Sequence, residues 1–170
     1  MLPDQSHHSD TFRKMPIKHL RCGLFVTPTK IKICHPLIVT GIHRYMENFH
    51  QYFFNLPPDN DYIKWTVGKA MYMADGTALK QKQALDENGF YSDIISSSAV
   101  CTIICDSIQF DEHTRRFNYY GTQIIKRRTR DLRRSMLTTG SIENVPRTQN
   151  NPHGLMITNW RTLENKDLDY

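Results

Sequence analysis

Eight histidines, four cysteines and a serine triplet are the side chains of this 170-residue chain that could do chemistry. Metal binding is the first chemistry to weigh. His43 and His50 stand seven residues apart, which places them on one face of a helix, and His7-His8 form a pair near the start. Structural zinc takes four ligands, and no third ligand follows at a matching spacing. No metal site is expected, and His50 reads as a packed or solvated histidine beside an apolar stripe. Ser96-Ser97-Ser98 lacks the Gly-x-Ser-x-Gly setting of an exposed nucleophile and reads as a helix-to-strand connector. A carboxylate acting with a tyrosine, drawn from Asp75, Asp106, Tyr119 and Tyr120, would rest on fold analogy alone. Neither Gly-x-x-x-x-Gly-Lys nor Gly-x-Gly-x-x-Gly occurs, so phosphate cradles of those kinds are absent. The expectation is no catalytic residue, no cofactor and no enzyme.

The cysteines are Cys22, Cys34, Cys101 and Cys105. The last two would share one face of a strand, roughly 13 Å apart, which is too far for a disulfide. No second pair completes a zinc pattern. Buried free thiols are the expectation.

Charge is the sharper signal. The chain carries +5 overall. Lys126, Arg127, Arg128, Arg130, Arg133 and Arg134, with Asp131 among them, account for all of it, leaving 16 of the 22 Lys and Arg to balance 16 of the 17 Asp and Glu. The block is a candidate surface for an anionic partner. Phosphates could contact the arginines while Tyr119 and Tyr120 stack on bases, which makes a nucleic-acid-binding module the alternative function. The plainer reading is a solvated edge between two strands, where charge discourages unwanted pairing. An acidic patch on a partner subunit or lipid headgroups would also suit it.

These residues must be positioned by the elements between them. Ile38, Ile42, Tyr45, Phe49, Tyr52 and Leu56 recur at helical spacing. Gly41 costs about 1 kcal/mol in a helix, so the expected start lies nearer Ile42. Pro57-Pro58 ends this helix, and Asp59 or Asn60 caps a second with Ile63, Val67, Ala70, Met71 and Ala74 on its apolar face. Asp75-Gly76 stops it. Thr77 is the expected cap of a third, polar helix that ends at Asn88-Gly89, with Phe90, Ile94 and Ile95 in a short final turn. After the serine triplet the period becomes 2. Strands are expected over residues 100–110, 116–128, within 130–145, and over 155–163, joined by short turns and therefore antiparallel. Asn151-Pro152-His153-Gly154 is the last turn: Pro fixes φ, Gly permits a positive φ, and Asn bonds its own backbone.

The fold expectation is α+β: three N-terminal helices on a curved four-stranded antiparallel sheet. Residues 1–34, with three prolines and no sustained period, read as a poorly ordered basic arm. Residues 35–170 read as one domain, helical over 35–95 and sheet over 96–170. No apolar run approaches the ~20 residues of a membrane span, and Pro3, Pro16 and Pro28 break any signal-like core. In the trio Tyr52-Phe53-Phe54 at least one ring must leave the core, and Tyr52 and Phe53 are candidate partner contacts.

Several motifs, in order, resemble a known family. Phe49-His50-Gln51-Tyr52-Phe53-Phe54-Asn55-Leu56-Pro57-Pro58-Asp59 is similar to the first-helix signature of the conjugative transposon protein TraK. The resemblance continues through Ala74-Asp75, Gly89-Phe90-Tyr91, Ile94-Ile95, Asp106-Ser107-Ile108, Gln123-Ile124-Ile125, Asn150 to Gly154 and Glu164 to Leu168. That family is similar to the periplasmic assembly subunit of VirB-type type IV secretion systems. The resemblance implies a cystatin-like or nuclear-transport-factor-like sheet. It implies a non-enzymatic scaffold at the periplasmic face of the inner membrane, in contact with itself and with other channel subunits. It also assigns partner contact to Asn151, Pro152 and Gly154, so that Gly154→Val is expected to impair assembly more than folding. Residues 1–44 do not match the family's cytoplasmic tail and membrane helix, so any membrane association would need a helix absent from this chain.

Overall fold

Two periodicities, helical then alternating, become two layers in three dimensions. A computed structural model of the chain describes residues 36–168, with side chains from residue 40 onward. The expected arm, His7-His8, Cys22 and Cys34 lie outside the described residues.

Four helices precede four strands: α1 (Pro36–Phe54), α2 (Asn60–Met71), α3 (Gly76–Glu87), α4 (Phe90–Ser96), β1 (Val100–Asp111), β2 (Arg116–Lys126), β3 (Leu132–Asn144) and β4 (Leu155–Asp167). The strands form one antiparallel sheet in chain order, β1-β2-β3-β4. Three of the helix expectations need correction. There are four helices, because Tyr91 and Ile94, three apart, bury one face of α4 against Leu56, Ile63 and Ile125. α1 begins at Pro36, not near Ile42. Proline suits the first helical turn, and Gly41 is carried inside the helix at a propensity cost. The cap of α3 is Asp75, not Thr77: Asp75 Oδ1 accepts from the Thr77 N–H at 2.9 Å. Asp59 caps α2 by accepting from the Tyr62 N–H at 2.9 Å.

The buried face of α1 is Ile42, Tyr45, Met46, Phe49, His50, Phe53 and Phe54. That stripe is wider than the expected one and rotated away from Tyr52, as a helix laid across a sheet requires. It packs on Ile103, Phe117, Tyr119, Met136, Ile142, Ile157 and Trp160. Phe49, Phe53 and Phe54 surround the Trp160 indole at 5.0, 4.8 and 6.1 Å between ring centres.

A backbone clamp joins the layers. Asp75 N–H donates to Ile157 O at 2.8 Å, and Ile157 N–H donates to Met73 O at 2.9 Å. Asp75 Oδ2 accepts from the Asn159 N–H at 3.0 Å, and Thr77 Oγ1 accepts from the Trp160 N–H at 2.9 Å. Burial opposes the Asp75 charge. The Thr77 hydroxyl, the Asn159 and Thr77 N–H groups and the Lys80 charge outweigh it and hold the carboxyl below its usual range. The clamp also covers the β4 edge where Asn159 takes a positive φ of 53°.

The two ends of the sheet differ. At one, Leu56 bridges Cys101 by two backbone hydrogen bonds beside Ile125 and Leu132, and the β2–β3 hairpin projects. At the other, Tyr45 meets the start of β4. The length of β3 separates them, about 40 Å at ~3.3 Å per residue.

Candidate functional site: the turn between the third and fourth strands

The β3–β4 connection is built from its own backbone outward. Val145 N–H donates to Gly154 O at 3.0 Å, Thr148 and Asn151 exchange backbone bonds of 3.1 and 3.2 Å, and Gly154 N–H donates to Asn151 O at 3.3 Å. Asn151 Nδ2 donates to Leu155 O at 2.6 Å. The Tyr45 hydroxyl, reaching from α1, lies 2.5 Å from Leu155 O and 3.0 Å from Met73 O. Its single hydrogen serves one carbonyl at a time. Burial pushes the Tyr45 phenol well above its usual range, opposed by the Asn151 side chain, so it remains a donor throughout the physiological range.

Four residues therefore divide into two roles. Asn151 and Gly154 are buried anchors; Pro152 and His153 are exposed between them. The His153 ring stands edge-on to Tyr45 with centres 5.5 Å apart. Gly154 has φ +66°, and a Cβ there would lie 2.9 Å from Arg147 Cγ and 3.0 Å from Val145 O. Only glycine fits without strain. The expectation for Gly154→Val changes accordingly: the substitution attacks the fold of the turn first.

The other candidate residues are dispersed. Phe53, expected at a partner surface, is 1% exposed and packed on Trp160, because the wide α1 stripe takes both Phe53 and Phe54 inward. Tyr52 is half-buried beneath Lys69 Nζ, 5.6 Å from its ring centre. Lys126, Arg127, Arg128, Arg130 and Arg133 are exposed around the β2–β3 hairpin, whereas Arg134 Nε pairs with Asp167 Oδ1 at 2.6 Å. Asp75, Asp106, Tyr119 and Tyr120 make no common centre. Asp75 is committed to the clamp. Asp106 is exposed at the β1 irregularity and accepts from Thr122 Oγ1 at 2.8 Å. Tyr120 donates to Gln109 Oε1 at 3.3 Å, and Tyr119 is buried. Among the described residues no three of His, Cys, Asp and Glu come together as a metal site would require. Cys101 is a buried free thiol, pushed up to about 11 by burial against the opposing fields of Arg127 and Arg134; Cys105 is free but only half-buried.

His50 is the polar centre of the core, fully buried and stacked on Tyr119 with ring centres 3.6 Å apart and planes at 4°. Nδ1 lies 2.7 Å from Met46 O, an obligate acceptor, so Nδ1 carries the hydrogen. Nε2, 2.7 Å from Thr138 Oγ1, then accepts from that hydroxyl. Its place in the stripe next to Phe49 was visible in the sequence; its two partners, 4 and 88 residues away, were not both so.

No protein-family model matches the sequence, and no curated protein matches it. Solved structures do match in fold. VirB8 from Agrobacterium tumefaciens superposes with a TM-score of 0.66 at 9% identity, covering 81% of this chain and 99% of that one. The soluble domain of TrwG of the type IV secretion machinery from Bartonella grahamii gives 0.62 at 15% identity, covering 77% and 97%. CagV, a VirB8 homologue from Helicobacter pylori, gives 0.56 at 15%, covering 76% and 99%. Among the described residues no helix is long and apolar enough to cross a membrane. The α+β fold of residues 36–168 is thus similar to that of VirB8-type secretion-system domains.

Proposed function

We propose that this chain is a non-enzymatic subunit of a type IV secretion apparatus, on the periplasmic side of the inner membrane, working through protein contacts in conjugative DNA transfer. The observation that carries the reading is the fold: the match to VirB8 runs over 99% of that chain and 81% of this one. The TraK-like motifs narrow it to conjugative elements, and the sheet would be curved at its three register shifts, at 105/107, 137/138 and 139/141. The contact surface centres on the turn. Asn151 and Gly154 set its shape from inside, and Pro152 and His153 present it to a second copy or to another channel subunit. A rigid, prepaid loop loses little entropy on binding, which favours such a role.

The test uses the exposed member. His153→Glu places a charge on the contact surface while leaving both anchors in place. In a donor strain whose secretion genes include this one, DNA transfer should fall about tenfold or more, the effect of losing one contact of roughly 1.4 kcal/mol. The purified variant should melt within about 2 °C of the parent. Transfer at the parental rate would remove the turn from the contact surface.

A further inference from the structure

The strongest charge feature of the molecule lies at the opposite end from this turn. Lys126 closes β2, and Arg127, Arg128 and Arg130 follow in the hairpin, all exposed. Among the described residues no carboxylate pairs with any of these four. Asp131 is the only acidic residue between Lys126 and Arg133. Like charges held this close maintain a positive potential that counterions or a bound anion must relieve. Beside them opens a pocket of about 340 Å³ lined by Arg130, Asp131, Leu132, Arg133 and Leu168. Leu168 is tied there by its N–H, which donates to Arg133 O at 2.8 Å. Two arginines and Asp131 thus share this lining with two half-buried leucines.

The geometry points to a docking site for an acidic polypeptide segment of a partner protein, one that alternates carboxylate and aliphatic side chains. Carboxylates match the forked guanidinium donors, and aliphatic groups match Leu132 and Leu168. Nucleic acid fits less well. Base stacking needs exposed rings beside the charges. Tyr119 is 1% exposed and stacked on His50. Tyr120 sits mid-strand between Ser107 and Leu137, about 20 Å from Lys126 at ~3.3 Å per residue. Outside residues 126–134 the described residues carry 10 Lys and Arg against 13 Asp and Glu, so the rest of the described body is net negative. The site does not depend on the Asn151–Gly154 turn, and the two can fail separately.

The experiment is a fluorescence anisotropy titration of the full chain with three labelled probes: a short peptide alternating Glu and Leu, the same peptide with Gln for Glu, and an oligothymidylate of equal length. The Glu-Leu peptide should bind, weaken as salt rises, and weaken about tenfold or more with Arg127→Ala/Arg130→Ala at an unchanged melting temperature. His153→Glu should bind it as the parent does. Tighter binding of oligothymidylate would replace the proposal with a nucleic-acid site. Equal binding of the Gln peptide, indifference to the two arginine substitutions, or no binding of the Glu-Leu peptide would each overturn it.

Discussion

Gly154→Val should lower the melting temperature by roughly 10 °C, equivalent to about 3 kcal/mol for a domain of this size. A left-handed residue without glycine costs about 1–2 kcal/mol before any contact is counted. The new side chain adds a Cβ 3.0 Å from the Val145 carbonyl oxygen, one residue beyond the last β3–β4 pair, Asn144 with Leu155. Arg147 can swing aside; displacing the Val145 backbone strains the neighbouring bond from the Val145 N–H to Gly154 O. Gly154→Ala should cost somewhat less, about 2 kcal/mol, since it meets the same φ but lacks branching. Differential scanning fluorimetry reads both. Variants that melt like the parent would show that the turn takes up another conformation in solution. The contrast with His153→Glu matters: in the proposed function the buried glycine sets the shape and the exposed histidine makes the contact, so stability and assembly should separate between the two positions.

Acid should weaken the fold from near neutrality, and His50 is the reason. Burial lowers its pKa to about 3, against an unfolded value near ~6.5, with the Met46 carbonyl opposing that shift. Between those values the unfolded chain takes up a proton that the folded chain refuses. The stabilisation from neutral His50 is therefore complete above about pH 6.5 and is lost as pH falls, at about 1.4 kcal/mol per unit. Urea denaturation at pH 7.5 and pH 5 should differ by about 2 kcal/mol from this group alone. His50→Phe keeps a ring against Tyr119 but cannot titrate. Its stability at neutral pH should drop, because the Thr138 hydroxyl loses its acceptor, yet its profile between pH 6.5 and about 4 should be much flatter. Below that range both proteins should lose stability as Asp75, held low by the clamp, is protonated. A parent profile that is flat from pH 7.5 to 5 would contradict the buried neutral histidine.

Much of this fold is legible in the chain because the signals are local. Pro57-Pro58, Asp75-Gly76 and Asn88-Gly89 interrupt apolar periods of helical type, and the change to period 2 after Ser98 marks the sheet. What escaped depends on partners distant in sequence. The α1 stripe has seven buried positions because a broad sheet face receives it, and spacing alone could not say whether Tyr52 or Phe53 turns inward. Asp75 outcompetes Thr77 as a cap because β4 supplies the Asn159 N–H as well. α4 is too short for its period to stand out, and Tyr91 and Ile94 become a face only against Leu56 and Ile125. The turn was legible as a turn. Its division into buried anchors and exposed residues required Tyr45, 110 residues before Leu155.

The most direct measurement is site-specific photocrosslinking from position 153 in cells assembling the secretion machine, with adducts identified by mass spectrometry. Adducts joining this chain to a second copy or to another channel subunit, lost when the crosslinker is moved to exposed Lys80 on α3, are the predicted result. DNA transfer proceeding normally with no such adduct at position 153 would contradict the account.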